Sequence, residues 1–127
     1  MTIDHVAVYA RDLEKLRAFY EAYLGGKPND GYFNPRTGLR TYFLSFDGGA
    51  RLEIMHRPGL EPSSGTALRE GVAHLSFRLE SREAVDSLTD RLRIDGYAVE
   101  SGPRTTGDGY YESCVLDPEG NKVELVG

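Results

Sequence analysis

The chain has 127 residues, of which 39% are hydrophobic and 28% charged, with a formal net charge of −5. This fits a single globular domain, long enough for one core and too short for two independent ones. No basic field exists to draw it to nucleic acid or anionic lipid, and no run has the apolar length of a membrane span or a signal peptide, which predicts a soluble cytoplasmic protein. The one cysteine, Cys114, cannot form an internal disulfide, so the fold must rest on packing.

Residues 3–10 alternate, with Val6 and Val8 on one face and His5, Ala7 and Tyr9 on the other, which is the period of a strand buried on one side. Asp12 then has the chemistry of a helix N-cap. Leu13, Leu16, Phe19/Tyr20 and Tyr23/Leu24 follow at helical spacing until Gly25-Gly26 stops them. Residues 27–40, rich in Gly, Pro and Asn, predict a surface excursion in which Tyr32 and Phe33 either cover a pocket or pack locally. Residues 41–46 and 51–56 read as a hairpin about Asp47-Gly48-Gly49, with Leu52 and Ile54 opposing Arg51, Glu53 and Met55. Residues 57–70 have linker composition.

The second half opens as the first did. Residues 72–79 place Leu75, Phe77 and Leu79 on one face and His74, Ser76 and Arg78 on the other, and Ser81 caps a helix whose stripe is Ala84, Val85, Leu88 and Leu92. Residues 97–100 read as a short strand, 101–109 as a loop and 110–116 as a strand. Asp117-Pro118-Glu119-Gly120 has the residue order of a type I turn, and 122–126 forms a last strand with Val123 and Leu125 opposing Glu124. Cys114 is predicted to be a small core residue, and His56, three residues past Glu53, to point away from Glu53's face.

The repetition is specific. Asp12 and Ser81 each follow a histidine by seven residues, and Glu53 and Glu124 follow His5 and His74 by 48 and 50 residues. This is the mark of a duplicated unit, here module 1 over about 1–57, a linker over about 58–70 and module 2 over about 71–127 of one domain. Periodicity puts His5, Glu53, His74 and Glu124 on the sheet face opposite the helices. Two imidazoles and two carboxylates there suit a divalent transition metal (nickel, cobalt, zinc, manganese or iron) that would polarise an oxygen or activate water. Antiparallel sheets often keep one wet, polar face, which explains any one of the four, but such a face has no reason to repeat His then Glu at matching places in both halves. Tyr9, Arg78, Arg104, Tyr110 and Tyr111 are candidates to line a pocket or simply to pack. No phosphate-cradling glycine loop, nucleophile elbow or cysteine cluster is present.

Asp4-His5-Val6-Ala7-Val8-Tyr9, Asp12-Leu13-Glu14, Phe19-Tyr20-Glu21 with Leu24-Gly25-Gly26, Gly71-Val72-Ala73-His74-Leu75-Ser76-Phe77 and Asp117-Pro118-Glu119-Gly120-Asn121-Lys122-Val123-Glu124-Leu125 resemble the vicinal oxygen chelate superfamily. Its members include glyoxalase I, bleomycin-resistance proteins, extradiol dioxygenases, methylmalonyl-CoA epimerase and fosfomycin-resistance thiol transferases. The resemblance implies an α+β fold of two βαβββ modules forming a cupped mixed sheet, helices on the outer face, and a homodimer. By position it makes His5, Glu53, His74 and Glu124 the four metal ligands of the glyoxalase I type. The implied reaction is isomerisation of a hemithioacetal of a 2-oxoaldehyde and a thiol, with Glu53 or Glu124 moving a proton between adjacent carbons. No counterpart of the family's glutathione-binding Arg and Asn residues is found, so the resemblance leaves the thiol open. It is also compatible with a non-enzymatic antibiotic-binding protein, a thiol transferase or a ring-cleaving dioxygenase.

Overall fold

The computed structural model describes residues 1–62 and 70–127; most of the expected linker, residues 63–69, lies outside the described residues. The chain divides into two compact units, Met1–Ser64 and Gly65–Gly127.

In the first unit β1 (His5–Tyr9) leads into α1 (Leu13–Leu24), followed by β2 (Lys27–Pro28), β3 (Tyr32–Phe33), β4 (Arg40–Ser45) and β5 (Arg51–His56). The Asp12 carboxylate accepts the Lys15 N–H at 3.0 Å, and Gly25 adopts a left-handed backbone (φ 66°) that ends the helix. The sheet order is β1-β5-β4-β2, with β3 paired to β4; β1 runs parallel to β5 and the other pairings are antiparallel. Leu13, Leu16, Phe19 and Tyr20 of α1 are buried with Leu44, Leu52 and Ile54 of the sheet. That period-2 burial along β5 turns Arg51, Glu53 and Met55 to the sheet's other face.

The second unit repeats the plan as β6 (Leu75–Arg78), α2 (Arg82–Ile94), β7 (Val99–Thr105), β8 (Tyr111–Leu116) and β9 (Lys122–Val126), in the sheet order β6-β9-β8-β7 with β6 parallel to β9. Ser81 caps α2 by accepting the Ala84 N–H at 3.1 Å. The turn before β9 is built on Asp117, whose carbonyl takes the Gly120 N–H at 2.9 Å. Its buried carboxylate accepts the backbone N–H groups of Glu119 and Asn121, both at 2.9 Å, and so fixes where β9, and with it Glu124, begins. The α+β architecture expected from the sequence is therefore present: a mixed sheet with one helix on one face, twice. No helix among the described residues is long and apolar enough to cross a membrane.

Three local expectations are corrected. The loop expected over 101–109 is largely strand, because β7 continues to Thr105. It tolerates Gly102 and Pro103 as the outermost strand of its sheet, with register shifts on either side of Ser101. The stripe of α2 buries Thr89 rather than Leu88: the Thr89 hydroxyl donates to the Val85 carbonyl at 2.6 Å and accepts from Ser113 Oγ at 2.6 Å, so its polar atom is satisfied in the core. Cys114 is not a core residue. Ser113 and Val115 take the buried positions of β8, and Cys114 lies half-buried on the other face, paired in register with Glu124. Both neighbours of Cys114 in the alternation are small or β-branched, so residue type alone did not say which parity faces inward.

Candidate metal centre

The two units build the same local arrangement by register. Ala7 is the strand partner of Glu53 and Ser76 that of Glu124, and in each unit the histidine stands two residues earlier on the parallel neighbour, hence on the same face. His5 Nε2 lies 3.6 Å from Glu53 Oε2, and His74 Nε2 lies 3.1 Å from Glu124 Oε2. Two donors each about 2.1 Å from a shared ion and subtending 90–120° stand ~3.0–3.6 Å apart, so both pairs have the spacing of neighbouring ligands. Among the described residues no three or more His, Cys, Asp or Glu side chains are grouped to hold an ion, so what each unit shows is a pair.

The chemistry of the first pair is further constrained. His5 Nδ1 is 2.8 Å from Asp4 Oδ2, and a carboxylate only accepts, so Nδ1 carries the proton. With Nδ1 engaged by Asp4, Nε2 is the ring nitrogen that faces the Glu53 carboxylate. An imidazole nitrogen and a carboxylate oxygen so placed can share either a proton, as an ion pair, or a metal cation. The ring also meets Phe43 edge-on, with centroids 5.2 Å apart.

The other candidates separate. His56 points to the helix side, as expected, and its Nδ1 donates to the Ala10 carbonyl at 2.8 Å, a hairpin-end contact. The Tyr111 hydroxyl donates to Asp86 on α2 at 2.6 Å, which raises its pKa above the usual phenol value and turns it away from the Glu124 face. Tyr9 is exposed on the His5 face and Arg78 on the His74 face. Arg104 reaches Ser101 at 3.2 Å and Glu112 at 3.8 Å. Tyr32, Phe33 and Tyr110 are exposed. The residues that surround His5, namely Asp4, Arg51 and Phe43, were not singled out by sequence; the signal was there in Asp4 beside His5 and Arg51 two residues before Glu53.

Burial pushes the Cys114 thiol up, and the Glu100 carboxylate, 4.0 Å from its sulfur, adds to this. Little thiolate then exists at neutral pH, although the residue lies on the Glu124 face. Alkylation of Cys114 by iodoacetamide should run several-fold slower than that of a free thiol at neutral pH and converge with it only in alkaline solution; a rate equal to glutathione's at neutral pH would contradict this.

The model of the glyoxalase/bleomycin resistance protein/dioxygenase superfamily matches residues 2–125. The chain is 33% identical to the uncharacterized protein YqjT of Bacillus subtilis, over 96% of this chain and 95% of that one. It is 32% identical to mitochondrial methylmalonyl-CoA epimerase of Bos taurus, over 62% of this chain and 47% of that one. The trypanothione-dependent glyoxalase I of Leishmania major superposes with a TM-score of 0.79 at 21% identity, covering 100% of this chain and 86% of that one, which shows the fold. With that family model matching nearly the whole of a chain built as a duplicated strand-helix-sheet unit, the chain belongs to the glyoxalase/bleomycin resistance protein/dioxygenase superfamily.

Proposed function

We propose that the protein is a metal-dependent lyase or isomerase of glyoxalase I type, acting as a cytoplasmic homodimer on a hemithioacetal of a 2-oxoaldehyde and a thiol. Its proposed metal ligands are His5, Glu53, His74 and Glu124. The observation that carries this reading is the His5–Glu53 pair, an imidazole nitrogen set 3.6 Å from a carboxylate with its other nitrogen already committed to Asp4. The donor set, two nitrogens and two oxygens, suits nickel, cobalt, zinc, manganese or iron. Bound there, the ion would supply Lewis-acid polarisation of vicinal substrate oxygens and so acidify the adjacent C–H.

The chain's own part is proton transfer. A Glu53 or Glu124 carboxylate oxygen takes the proton from the carbon bearing the sulfur, and the same carboxyl returns it to the neighbouring carbon while the hydroxyl proton passes from the first oxygen to the second, which completes an isomerisation with no net gain or loss of atoms. Carboxylates serve here because the charge that develops on the substrate oxygens is stabilised electrostatically, which lowers the basicity the catalyst must supply. The match to methylmalonyl-CoA epimerase supports a second reading, proton removal and return at a carbon beside a carbonyl, which would use the same two carboxylates.

The test is elemental analysis of the purified protein together with assays on methylglyoxal mixed with several thiols and on methylmalonyl-CoA. About one transition metal ion per chain and turnover of one hemithioacetal is the expected result, and turnover of methylmalonyl-CoA alone would select the second reading. A protein that takes up no metal and turns over none of these would leave a small-molecule binder in place of an enzyme.

A further inference from the structure

The two His–Glu pairs match in register but not in what surrounds them. In the first unit Asp4 precedes the histidine, and it is gripped from two sides. Arg51, the strand partner of His5, donates its backbone N–H to the Asp4 carbonyl at 3.0 Å and its guanidinium to Asp4 Oδ2 at 2.5 Å. That guanidinium is itself seated on Phe43, 4.6 Å from the ring centroid, and the Phe43 ring stands at 84° to that of His5. In the second unit the corresponding positions are Ala73, Lys122 and Cys114. Ala73 offers no acceptor side chain, and Lys122 turns to Glu100 at 2.9 Å instead.

We infer that Asp4, oriented by Arg51, is a positioning residue for His5. It locks the ring as the Nδ1–H tautomer with its Nε2 lone pair aimed at Glu53, and the protein holds one pre-set histidine and one that is not pre-set by a neighbouring carboxylate. The inference rests on the metal reading above for its purpose, but its physical content is the state of the ring. Asp4 and Arg51 are substantially exposed, with side chains 70% and 43% accessible, and an ion pair of that kind contributes little to folding. A structural role therefore predicts almost no consequence of removing it. A positioning role predicts a change in His5 and in metal affinity, since a partner that orients a ligating histidine is typically worth about 10–100-fold in affinity.

The chain has three histidines, His5, His56 and His74, so their rings can be followed singly in two-bond 1H–15N spectra of the metal-free full-length protein under alkaline conditions. The wild type should show His5 as the Nδ1–H tautomer. Asp4→Ala should shift His5 toward the Nε2–H tautomer while leaving His56, bonded to the Ala10 carbonyl, and His74 unchanged. Asp4→Asn, whose amide oxygen still accepts from Nδ1, should restore the wild-type tautomer. Titration with zinc or nickel should show a ~10–100-fold weaker dissociation constant for Asp4→Ala, recovered in large part by Asp4→Asn, at unchanged thermal stability. An Nε2–H ring in the wild type, or a His5 tautomer indifferent to Asp4→Ala, would overturn the inference. A wild type that binds neither metal would overturn the metalloenzyme reading alone, because the spectra of the metal-free protein decide the question of Asp4 without it.

Discussion

Glu124→Gln should fold normally, lose metal affinity and lose at least about 10²–10⁴-fold in turnover of the preferred hemithioacetal, equivalent to ~3–5 kcal/mol of transition-state stabilisation. The substitution keeps the shape of the side chain while removing a charge and a basic oxygen. Val123 and Leu125 on either side of it are fully buried and hold β9 in register with β8, so the backbone has no reason to move. The Glu124 side chain is 21% accessible and faces His74 Nε2 at 3.1 Å, so what changes is confined to that contact. An amide oxygen is a weaker ligand than a carboxylate and cannot accept a proton from carbon at neutral pH, so both proposed roles fail together. Glu53→Gln separates them: if Glu124 is the base and Glu53 chiefly a ligand, the Glu53 variant loses metal but recovers part of its rate when excess metal is supplied, whereas the Glu124 variant does not. Full activity with unchanged metal content in Glu124→Gln would remove the carboxylate from the mechanism.

Much of this arrangement could be read before any coordinates, for a definite reason. A duplicated unit writes its strand parity twice, and burial of Leu52 and Ile54 against α1, like that of Val123 and Leu125 in the second unit, forces Glu53 and Glu124 to the opposite face. The bounds 51–56 and 122–126 follow from hairpin turns whose glycine and aspartate chemistry is local. What escaped depends on partners distant in sequence. The long edge strand β7 contains Gly102 and Pro103, which signal a loop unless one knows that one side of the strand has no ladder to complete. Thr89 is buried because Ser113, 24 residues on, offers its hydroxyl. The parity of Cys114 is not legible because small residues alternate on both faces of β8, so the hydrophobic pattern carries no parity there. The same limit hid the grip of Arg51 on Asp4, 47 residues apart, which only the parallel pairing of β1 with β5 brings together.

Phe19→Ala should destabilise the first unit by about 3–5 kcal/mol, while the exposed truncation Ile94→Ala should stay within ~0.5 kcal/mol of wild type. Phe19 is 2% accessible and Ile94 84% accessible. The Phe19 ring packs edge-on against Tyr20 and tilted against Tyr23, both with centroids 5.3 Å apart, so its removal costs aromatic contacts and leaves a cavity that the neighbouring helix turn is too constrained to fill. Against a typical total of ~5–15 kcal/mol, that loss should lower the thermal midpoint by on the order of 10 °C or more. The effect should be confined to stability. Phe19 lies on the helix side of the sheet, whereas His5 and Glu53 project from its other face, so at a temperature where the variant is still folded its metal affinity should match the wild type. Urea titration gives the first quantity and metal titration of the folded variant the second. A loss below 1 kcal/mol would mean that the α1 face is not the core of its unit. A loss of metal affinity in the folded variant would mean that the two faces of this sheet are mechanically coupled, and that the His5–Glu53 spacing depends on packing behind it as well as on Asp4 beside it.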